Sequence, residues 1–259
     1  MHDTINYAEA LRILENSFEL YVWSENLTAF EVLISTILSQ KTERKNKETA
    51  FLALKQRIGV TPERLAAAQV MDIADAIRPA GLFRSKAPKI QEVAQIVLER
   101  YDGDLSVVLK MSMNHARKEL MRLPGVGLKT ADILLSFVAN RPVFAVDVHI
   151  ERIGKRRGLA PQAARYEEIR AAYEAEISPD ERVRTHKALI EFGREICTAR
   201  NPNHDICPVS DYCMYNRKLD DPKVGDQTSV SSSGVMVVTI VLNTFICVLQ
   251  SSKRILNCY

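Results

Sequence analysis

The sequence has little net charge, because its 35 lysines and arginines are nearly balanced by 32 aspartates and glutamates. The formal charge of +3 excludes tight binding of a polyanion by overall charge, so any such affinity must come from local basic patches. Two short basic runs, residues 41–47 and 152–157, could supply them. The amino terminus also lacks a secretory hydrophobic segment and a transit-peptide bias, so we expect no targeting segment there.

Cysteine is scarce, with five in 259 residues, and three of the five lie close together. Cys197, Cys207 and Cys213 combine with His204 in the spacing C-x6-H-x2-C-x5-C. Four such ligands in one short loop indicate a metal centre. The alternatives are unrelated thiols beside a surface histidine and a structural zinc site, which a Cys3His set also suits. Thiols arranged as ligands fit a reducing compartment.

Sustained period-two alternation of apolar residues is absent before residue 230, so the sequence predicts an all-α fold. Thr28 and Glu31 form a capping box ahead of a buried helix, and Pro62 suits the first position of another. Ser85 is predicted to cap a helix that runs to Arg100. Further helices are expected at residues 45–58, 162–176 and 181–197.

A glycine-rich turn joins two helical patterns in the stretch Leu-Pro-Gly-Val-Gly-Leu-Lys-Thr-Ala, residues 123–131. Pro124 ends the first helix, and Gly125 and Gly127 let backbone N–H groups approach a phosphate at the start of the second. A helix-hairpin-helix holds a nucleic-acid backbone in this way without reading bases. An ordinary helical corner is the alternative.

Lys129 lies in the first turn of the second helix, where the helix dipole disfavours a cation. An amine held there beside a bound phosphate is a candidate nucleophile that forms a Schiff base. The alternative is a solvated lysine that contacts phosphate as a point charge.

Asp147 ends a short apolar run, residues 142–146, and precedes another helical pattern. One helix out from the hairpin and this apolar return would bring Asp147 back beside Lys129. Alternatively, Asp147 only caps the helix that starts at Val148, since aspartate is a favoured N-cap. The two roles are compatible, because capping holds the carboxylate rigidly.

In combination these motifs are recognisable. The hairpin, the segment of residues 145–158 (AVDVHIERIGKRRG) and the cysteine loop resemble endonuclease III, a family of the helix-hairpin-helix DNA glycosylase superfamily. Residues 36–42 resemble that family's helix end, which carries a base-filling glutamine, here Gln40. Residues 81–87 resemble its earlier hairpin-like turn. The resemblance covers residues 29–215 in family order.

The resemblance implies a two-lobed, all-α helix-hairpin-helix glycosylase fold with a C-terminal metal-cluster loop. Lys129 would be the Schiff-base nucleophile and Asp147 the catalytic carboxylate. A [4Fe-4S] cluster would be held by Cys197, His204, Cys207 and Cys213, although the family pattern has cysteine in place of His204. The residues expected to contact DNA are Gln40, Gly125, Val126, Gly127, Thr130 and Arg200.

The implied activity is base excision DNA repair. A bifunctional DNA glycosylase and abasic-site lyase would remove a damaged, oxidised pyrimidine from duplex DNA. One alternative is a monofunctional mismatch glycosylase of the same superfamily, against which Lys129 argues. Another is a non-catalytic hairpin module that only binds DNA, against which Asp147 argues. We expect a monomer, cytoplasmic or associated with the nucleoid, that needs no small-molecule cofactor beyond the cluster or, alternatively, a structural zinc.

The resemblance also suggests how the chain divides. Residues 25–132 would form a central helical domain that ends in the hairpin, and residues 1–24 with 133–217 a second lobe that carries the metal loop. Residues 218–259 form a polar linker and an apolar tail that the resemblance does not cover. The apolar part, residues 235–249, is shorter than the roughly 20 residues that span a bilayer. Packing on the body, disorder, membrane anchoring and a sequence artefact all remain open for it.

Overall fold

The all-α prediction is confirmed by the computed structural model, which describes residues 6–20, 26–219, 240–242 and 245–247. Its helices, in chain order, are α1 (Tyr7–Ser17), α2 (Ala29–Ser39), α3 (Arg44–Arg57), α4 (Pro62–Ala67), α5 (Val70–Ala76), α6 (Phe83–Tyr101), α7 (Ser106–Leu109), α8 (Met113–Met121), α9 (Leu128–Ile133), α10 (Val148–Arg157), α11 (Tyr166–Glu176), α12 (Arg182–Glu195) and α13 (Met214–Leu219). Shorter helical turns lie at Arg78–Ala80, Leu134–Val138 and Ser210–Tyr212.

The tail contributes an antiparallel pair of short strands, β1 (Ile240–Leu242) and β2 (Phe245–Cys247), with Val241 opposite Ile246. These strands belong to a unit of residues 218–259 whose internal contacts set it apart from residues 1–217. The predicted linker and most of the predicted apolar run lie outside the described residues. Within the described part of the chain, no helix is long and apolar enough to cross a membrane.

Local chemistry decides where α2 begins. Thr28 and Glu31 form the predicted capping box, with Glu31 N donating to Thr28 Oγ1 at 3.2 Å and Thr28 N donating to Glu31 Oε2 at 2.9 Å. The predicted start of α6 at Ser85 is wrong. That helix begins at Phe83, because Leu82 takes a left-handed conformation (φ 49°) immediately before it.

Two later helices are shorter than predicted. A turn closed by the hydrogen bond from Ala164 N to Pro161 O, at 3.0 Å, precedes α11, which therefore begins at Tyr166. Similarly, a turn from Glu181 N to Ser178 O, at 3.1 Å, precedes α12.

Two hydrophobic cores fill the described part of the chain before residue 217. The first core draws on the helices from α2 to α9 and includes Leu33 and Ile90. The second draws on α1, α10, α11 and α12 and includes Ile150 and Phe192. Residues 133–135 also pack in the first core, so the division predicted after residue 132 stays a prediction.

The segment of residues 143–146 contributes to both cores. Val143 and Ala145 pack in the first core, whereas Phe144 and Val146 pack in the second. Successive side chains of an extended chain point to opposite sides, which explains this alternation. The segment ends at Asp147, where α10 begins, so packing against both cores positions that residue.

Candidate active site

The glycine-rich turn forms the predicted hairpin between α8 and α9. Gly125 has a φ of +78°, which glycine adopts without strain, and Val126 N closes the turn on Leu123 O at 3.1 Å. Gly127 precedes α9 and offers no side-chain cap to the first amides of that helix. A Cβ on Gly127 would meet nothing within 4 Å, so the backbone here borders open space where an anion can bind.

Two of the residues predicted to contact DNA have buried side chains. Val126 is 6% exposed and Thr130 is 4% exposed. Any contact that they make with DNA is therefore left to their backbone groups. Arg200, by contrast, is exposed in the loop that follows Cys197.

Lys129 and Asp147 line one cavity of about 510 Å³, although they come from different elements of the chain. Lys129 is half-buried in the first turn of α9. Asp147 is buried and caps α10, as predicted, because its Oδ1 accepts hydrogen bonds from His149 N and Ile150 N, both at 2.9 Å. Both capping bonds end on Oδ1, so the cap holds the carboxylate without occupying Oδ2.

Basic side chains on α3 and α12 also line this cavity. Arg44 forms an ion pair with Glu191, and Arg194 approaches the same carboxylate at 3.5 Å. Burial lowers the pKa of Lys47, and the charges of Arg44 and Arg194 lower it further. The clustered cations suit a polyanionic ligand.

The extended segment before Asp147 is held by side chains of α11. Phe144 N donates to Glu174 Oε1 at 2.8 Å, and Val146 N donates to the Tyr166 hydroxyl at 3.3 Å. These bonds satisfy backbone groups that a neighbouring strand would otherwise have to pair. The path of the chain into Asp147 therefore depends on α11.

His186 on α12 holds the same segment from another side. Its Nδ1 lies 2.9 Å from Ala145 O, and since a carbonyl only accepts, Nδ1 carries the proton. Burial lowers the pKa of His186 to about 4, so the imidazole is neutral at pH 7. The ring also lines the cavity that contains Lys129 and Asp147.

A buried polar network connects α9 to this segment. The Tyr166 hydroxyl donates to Asp132 Oδ2 at 2.8 Å, and Arg117 Nη2 donates to the same oxygen at 2.7 Å. Burial raises the pKa of Tyr166, which keeps its hydroxyl protonated. Asp132 lies one helical turn beyond Lys129, so two hydrogen bonds link the helix of Lys129 to Val146, the residue before Asp147.

Gln40 lines the cavity at the end of α2, and its Nε2 donates to Gly125 O of the hairpin at 2.9 Å. The turn that carries Gln40 is anchored by a buried lysine on α6. Lys86 Nζ donates to Leu38 O and Thr42 Oγ1, both at 2.8 Å, and to Ala80 O at 3.0 Å. Burial lowers the pKa of Lys86 to about 8.

The four predicted metal ligands line a second, smaller cavity together with Arg156 and Arg157. The thiols of Cys197, Cys207 and Cys213 are half-buried. Burial raises the pKa of Cys207. The four side chains that the sequence spacing grouped as ligands therefore border the same cavity.

Aromatic and basic side chains border this second cavity. The His204 ring stacks on Tyr215 with centroids 5.7 Å apart, and Arg156 lies over the same tyrosine ring at 5.2 Å. Arg156 Nη1 also donates to Cys197 Sγ at 3.4 Å. Hydrogen bonds to a ligand sulfur are typical of iron–sulfur sites.

Comparisons with known proteins decide the family. Residues 34–179 match the HhH-GPD superfamily of base excision DNA repair proteins, and residues 197–213 match the iron–sulfur binding domain of endonuclease III. Endonuclease III of Thermotoga maritima is 36% identical over 199 residues, which cover 77% of this chain and 89% of that protein. Endonuclease III of Sulfolobus acidocaldarius is 33% identical over 196 residues, which cover 75% and 86%.

The chain belongs to the endonuclease III family. The fold of this family member is similar to that in a solved structure of a trapped endonuclease III–DNA covalent intermediate, with a TM-score of 0.73 and 29% identity. That match covers 82% of this chain and 96% of the other. The protein is a DNA glycosylase and abasic-site lyase of base excision repair. These comparisons favour the predicted bifunctional activity over a monofunctional mismatch glycosylase and over a non-catalytic DNA-binding module.

This endonuclease III relative carries an iron–sulfur binding domain at residues 197–213. The residues present fit such a group, because three thiols and an imidazole line one cavity. Arg157 supports the fit, since this buried cation borders the cavity and its Nε and Nη2 have no hydrogen-bond partner in the described part of the chain. An anionic cluster would supply one.

Sequence reasoning missed several residues that hold the site of this endonuclease III relative together. His186, Tyr166 and Glu174 lie far along the chain from Asp147, and no motif marks them. Lys86 lies within the segment of residues 81–87 that resembles the family, but its role as an anchor of the Gln40 turn was not predicted.

Proposed function

We propose that this enzyme removes damaged, oxidised pyrimidines through the amine of Lys129 and then cleaves the strand by β-elimination. The observation that carries the proposal is the shared cavity, because an amine at a helix start and a rigidly capped carboxylate line the same space. A volume of about 510 Å³ accommodates a nucleotide flipped out of the stack.

The proposed reaction begins with a flipped nucleotide, since its sugar cannot be reached inside a duplex. Neutral Lys129 Nζ attacks C1′ while the bond from C1′ to the base breaks. The base leaves with that electron pair and takes up a proton. The nitrogen then loses a proton and the C1′–O4′ bond breaks, so that O4′ takes up a proton and C1′ and Nζ form an imine. The imine acidifies the 2′ hydrogen, whose loss as a proton expels the 3′ phosphate with the electron pair of its C–O bond.

Asp147 would stabilise the positive charge that develops on the sugar and accept the proton that the Lys129 ammonium must lose. The bonds from His149 N and Ile150 N hold Oδ1, which supports this assignment. The carboxylate needs no reorganisation as the sugar charge develops, because the cap already fixes its direction.

Damaged duplex DNA is the proposed substrate, and the hairpin would grip its backbone through the amides at Gly125, Gly127 and Thr130, while Val126, whose amide closes the turn on Leu123 O, would hold the hairpin in shape against the DNA. Gln40 would fill the space left by the flipped nucleotide. Its hydrogen bond to Gly125 O must break for this, so binding of the DNA backbone by the hairpin and filling of the gap by Gln40 would be linked.

Arg200 would add a phosphate contact. One chain holds both catalytic side chains in one cavity, which supports action as a monomer.

We propose that Cys197, His204, Cys207 and Cys213 hold a [4Fe-4S] cluster. When bound, this group would order the loop that carries Arg200. The four side chains border one cavity, and residues 197–213 match the iron–sulfur binding domain of endonuclease III. The match favours a cluster over the structural zinc ion that a Cys3His set also suits.

Borohydride trapping tests the proposed nucleophile. The wild-type protein should form a covalent adduct with duplexes that contain an abasic site or thymine glycol. Lys129→Ala should abolish the adduct and strand cleavage but retain DNA binding, because backbone groups contact the phosphates. Lys187→Ala is the matched control, since Lys187 lines the same cavity and should not be needed for the adduct. Trapping that persists in Lys129→Ala would refute the assignment.

Metal analysis tests the ligand set. The purified protein should contain iron and sulfide in equal amounts, and Cys207→Ala should lose both. His204→Cys should retain the cluster, since thiolate is its usual ligand. One zinc ion without iron would overturn the cluster but not the ligands.

A further inference from the structure

Arg157 is the last residue of α10, and it is only 4% exposed. Its Nε and Nη2 have no hydrogen-bond partner in the described part of the chain. None of the ion pairs found there includes it. Burial lowers the pKa of its guanidinium, yet an arginine stays charged at neutral pH. A buried charge of this kind is costly unless something pairs with it.

The neighbouring arginines of α10 do not share this property. Arg152 donates from Nε and Nη2 to Cys197 O at 3.0 and 2.8 Å, and from Nη2 to Gly193 O at 2.7 Å. Arg156 donates to Cys197 Sγ and to the carbonyl of Ala199. The unused donors are therefore a feature of Arg157 rather than of this end of the helix.

Arg157 borders the cavity that the four proposed ligands line. Cys207 and Cys213 are among the groups whose charge acts on its guanidinium. On another side lies the Tyr7 ring, at 5.7 Å, which can accept a cation but supplies no formal negative charge. Tyr173 also acts on the guanidinium, but burial raises the pKa of Tyr173 and keeps its hydroxyl neutral. Among the described groups that act on Arg157, the thiols of Cys207 and Cys213 are therefore the ones that lose a proton when they bind a cluster.

We propose that Arg157 is the buried counter-ion of the iron–sulfur group, that its unpartnered N–H groups bind the sulfur side of that group, and that it raises the reduction potential. This inference rests on the proposed ligand set. A cation beside the cluster stabilises the reduced, more negative form, and hydrogen bonds to sulfur act in the same direction. His204 adds to the effect, because replacing thiolate by imidazole also raises the potential of iron–sulfur centres.

The same geometry links cluster binding to the stability of α10. With the cluster bound, the Arg157 charge is paired. Without the cluster, the cation remains buried and unpaired, which destabilises the carboxyl-terminal end of α10, opposite the end that Asp147 caps. Loss of the cluster should therefore cost the wild-type protein more stability than a variant that lacks this charge.

The test compares wild-type holoprotein with Arg157→Met, and with Lys155→Met as the control. Lys155 lies on the same helix turn, but its ammonium already pairs with Glu151 at 2.6 Å. Cluster reduction is followed by voltammetry and iron content by elemental analysis. Thermal unfolding is recorded before and after removal of the cluster.

Arg157→Met should shift the redox equilibrium about tenfold towards the oxidised form, which is about 59 mV for a one-electron couple. When the cluster is removed, the melting temperature of Arg157→Met should also fall less than that of the wild type. Lys155→Met should match wild type in both measurements. Arg157→Gln keeps hydrogen-bond donors but removes the charge, so it should shift the reduction potential in the same direction by a smaller amount. This variant serves as the test if Arg157→Met does not fold.

An iron-loaded Arg157→Met or Arg157→Gln with the wild-type potential would overturn the Arg157 proposal and leave the ligand set standing. Wild-type protein that binds no iron would overturn both. Because iron content and potential are measured on the same samples, the two failures are distinguishable.

Discussion

The two ends of α10 border two different cavities. At the amino-terminal end, Asp147 caps the helix and faces a wide cavity in which protein groups already satisfy the capping oxygen. At the carboxyl-terminal end, Arg157 borders a small cavity with three thiols, and its donors lack partners among the described residues. The first end is complete without a ligand and suits a substrate that comes and goes. The second suits a group that stays bound.

The largest expected effect tests the role of Asp147 at the amino-terminal end of α10. Asp147→Asn should slow base excision by about 10² or more, because the charge that stabilises the sugar is lost. Asparagine is as good an N-cap, so the melting temperature should hardly change. Single-turnover excision and thermal unfolding measure the two effects.

Asp104→Asn is the matched control for Asp147→Asn. Asp104 Oδ1 likewise accepts a backbone bond, from Ser106 N at 2.8 Å, but it does not line the cavity. This control should excise at the wild-type rate. If Asp147→Asn also does so, Asp147 is only a cap.

A smaller effect is expected at His186, a buried histidine that lines the wide cavity and holds Ala145 O. Its pKa is about 4 in the folded protein, against 6.5 for an unperturbed histidine. The unfolded chain therefore binds more protons between these values, and stability falls as the pH drops from 6.5 to 4. The loss should be on the order of 3 kcal/mol and should level off once the pH falls below the folded pKa near 4.

Denaturant unfolding at several pH values measures this effect as the difference between wild type and His186→Gln. The glutamine amide can still donate to Ala145 O, but it does not titrate. The variant should lose about 3 kcal/mol less than wild type over that pH interval. His115→Gln, at an exposed histidine, should behave as wild type. Identical pH profiles for wild type and His186→Gln would show that His186 does not titrate in this way.

The smallest expected effect concerns the hydrogen bonds that link the two proposed catalytic residues, Lys129 and Asp147. Tyr166→Phe removes the hydrogen bonds to Asp132 and from Val146, so Lys129 and Asp147 should be held less precisely. Imine formation should slow about tenfold with unchanged DNA affinity, since small displacements of reacting groups are costly. Rapid-quench trapping and binding titration separate the two quantities.

Tyr101→Phe removes a comparable hydroxyl bond, to Glu119 at 3.0 Å, away from the cavity. It should lose some stability but keep the wild-type trapping rate. Equal slowing in both tyrosine variants would mean that Tyr166 acts through general stability alone.

Local sequence chemistry predicted several features correctly. The capping box at Thr28, the N-cap at Asp147 and the hairpin at Gly125 each depend on residues only a few positions apart. The ligand loop is also short, so its spacing indicated that Cys197 and Cys213 would share a cavity. These features need no knowledge of the remaining chain.

The extended segment before Asp147 shows where such reasoning fails. Residues 143–146 are all apolar and buried, because alternate side chains pack in different cores. The usual signal of an extended chain, apolar residues alternating with polar ones, is therefore missing. Its partners are the side chains of Glu174, Tyr166 and His186 rather than a neighbouring strand.

The sequence by itself determined most of the helices, the hairpin and the carboxylate cap, and it singled out the four proposed metal ligands, because each of these depends on local backbone geometry and residue type. The return of Asp147 towards Lys129 was also predicted, but only the tertiary structure formed the cavity that both residues line, made His186 neutral and left Arg157 buried beside the thiols. Burial and long-range pairing decide these properties. They depend on which distant segments pack together, and this is set by the two cores as a whole rather than by any motif.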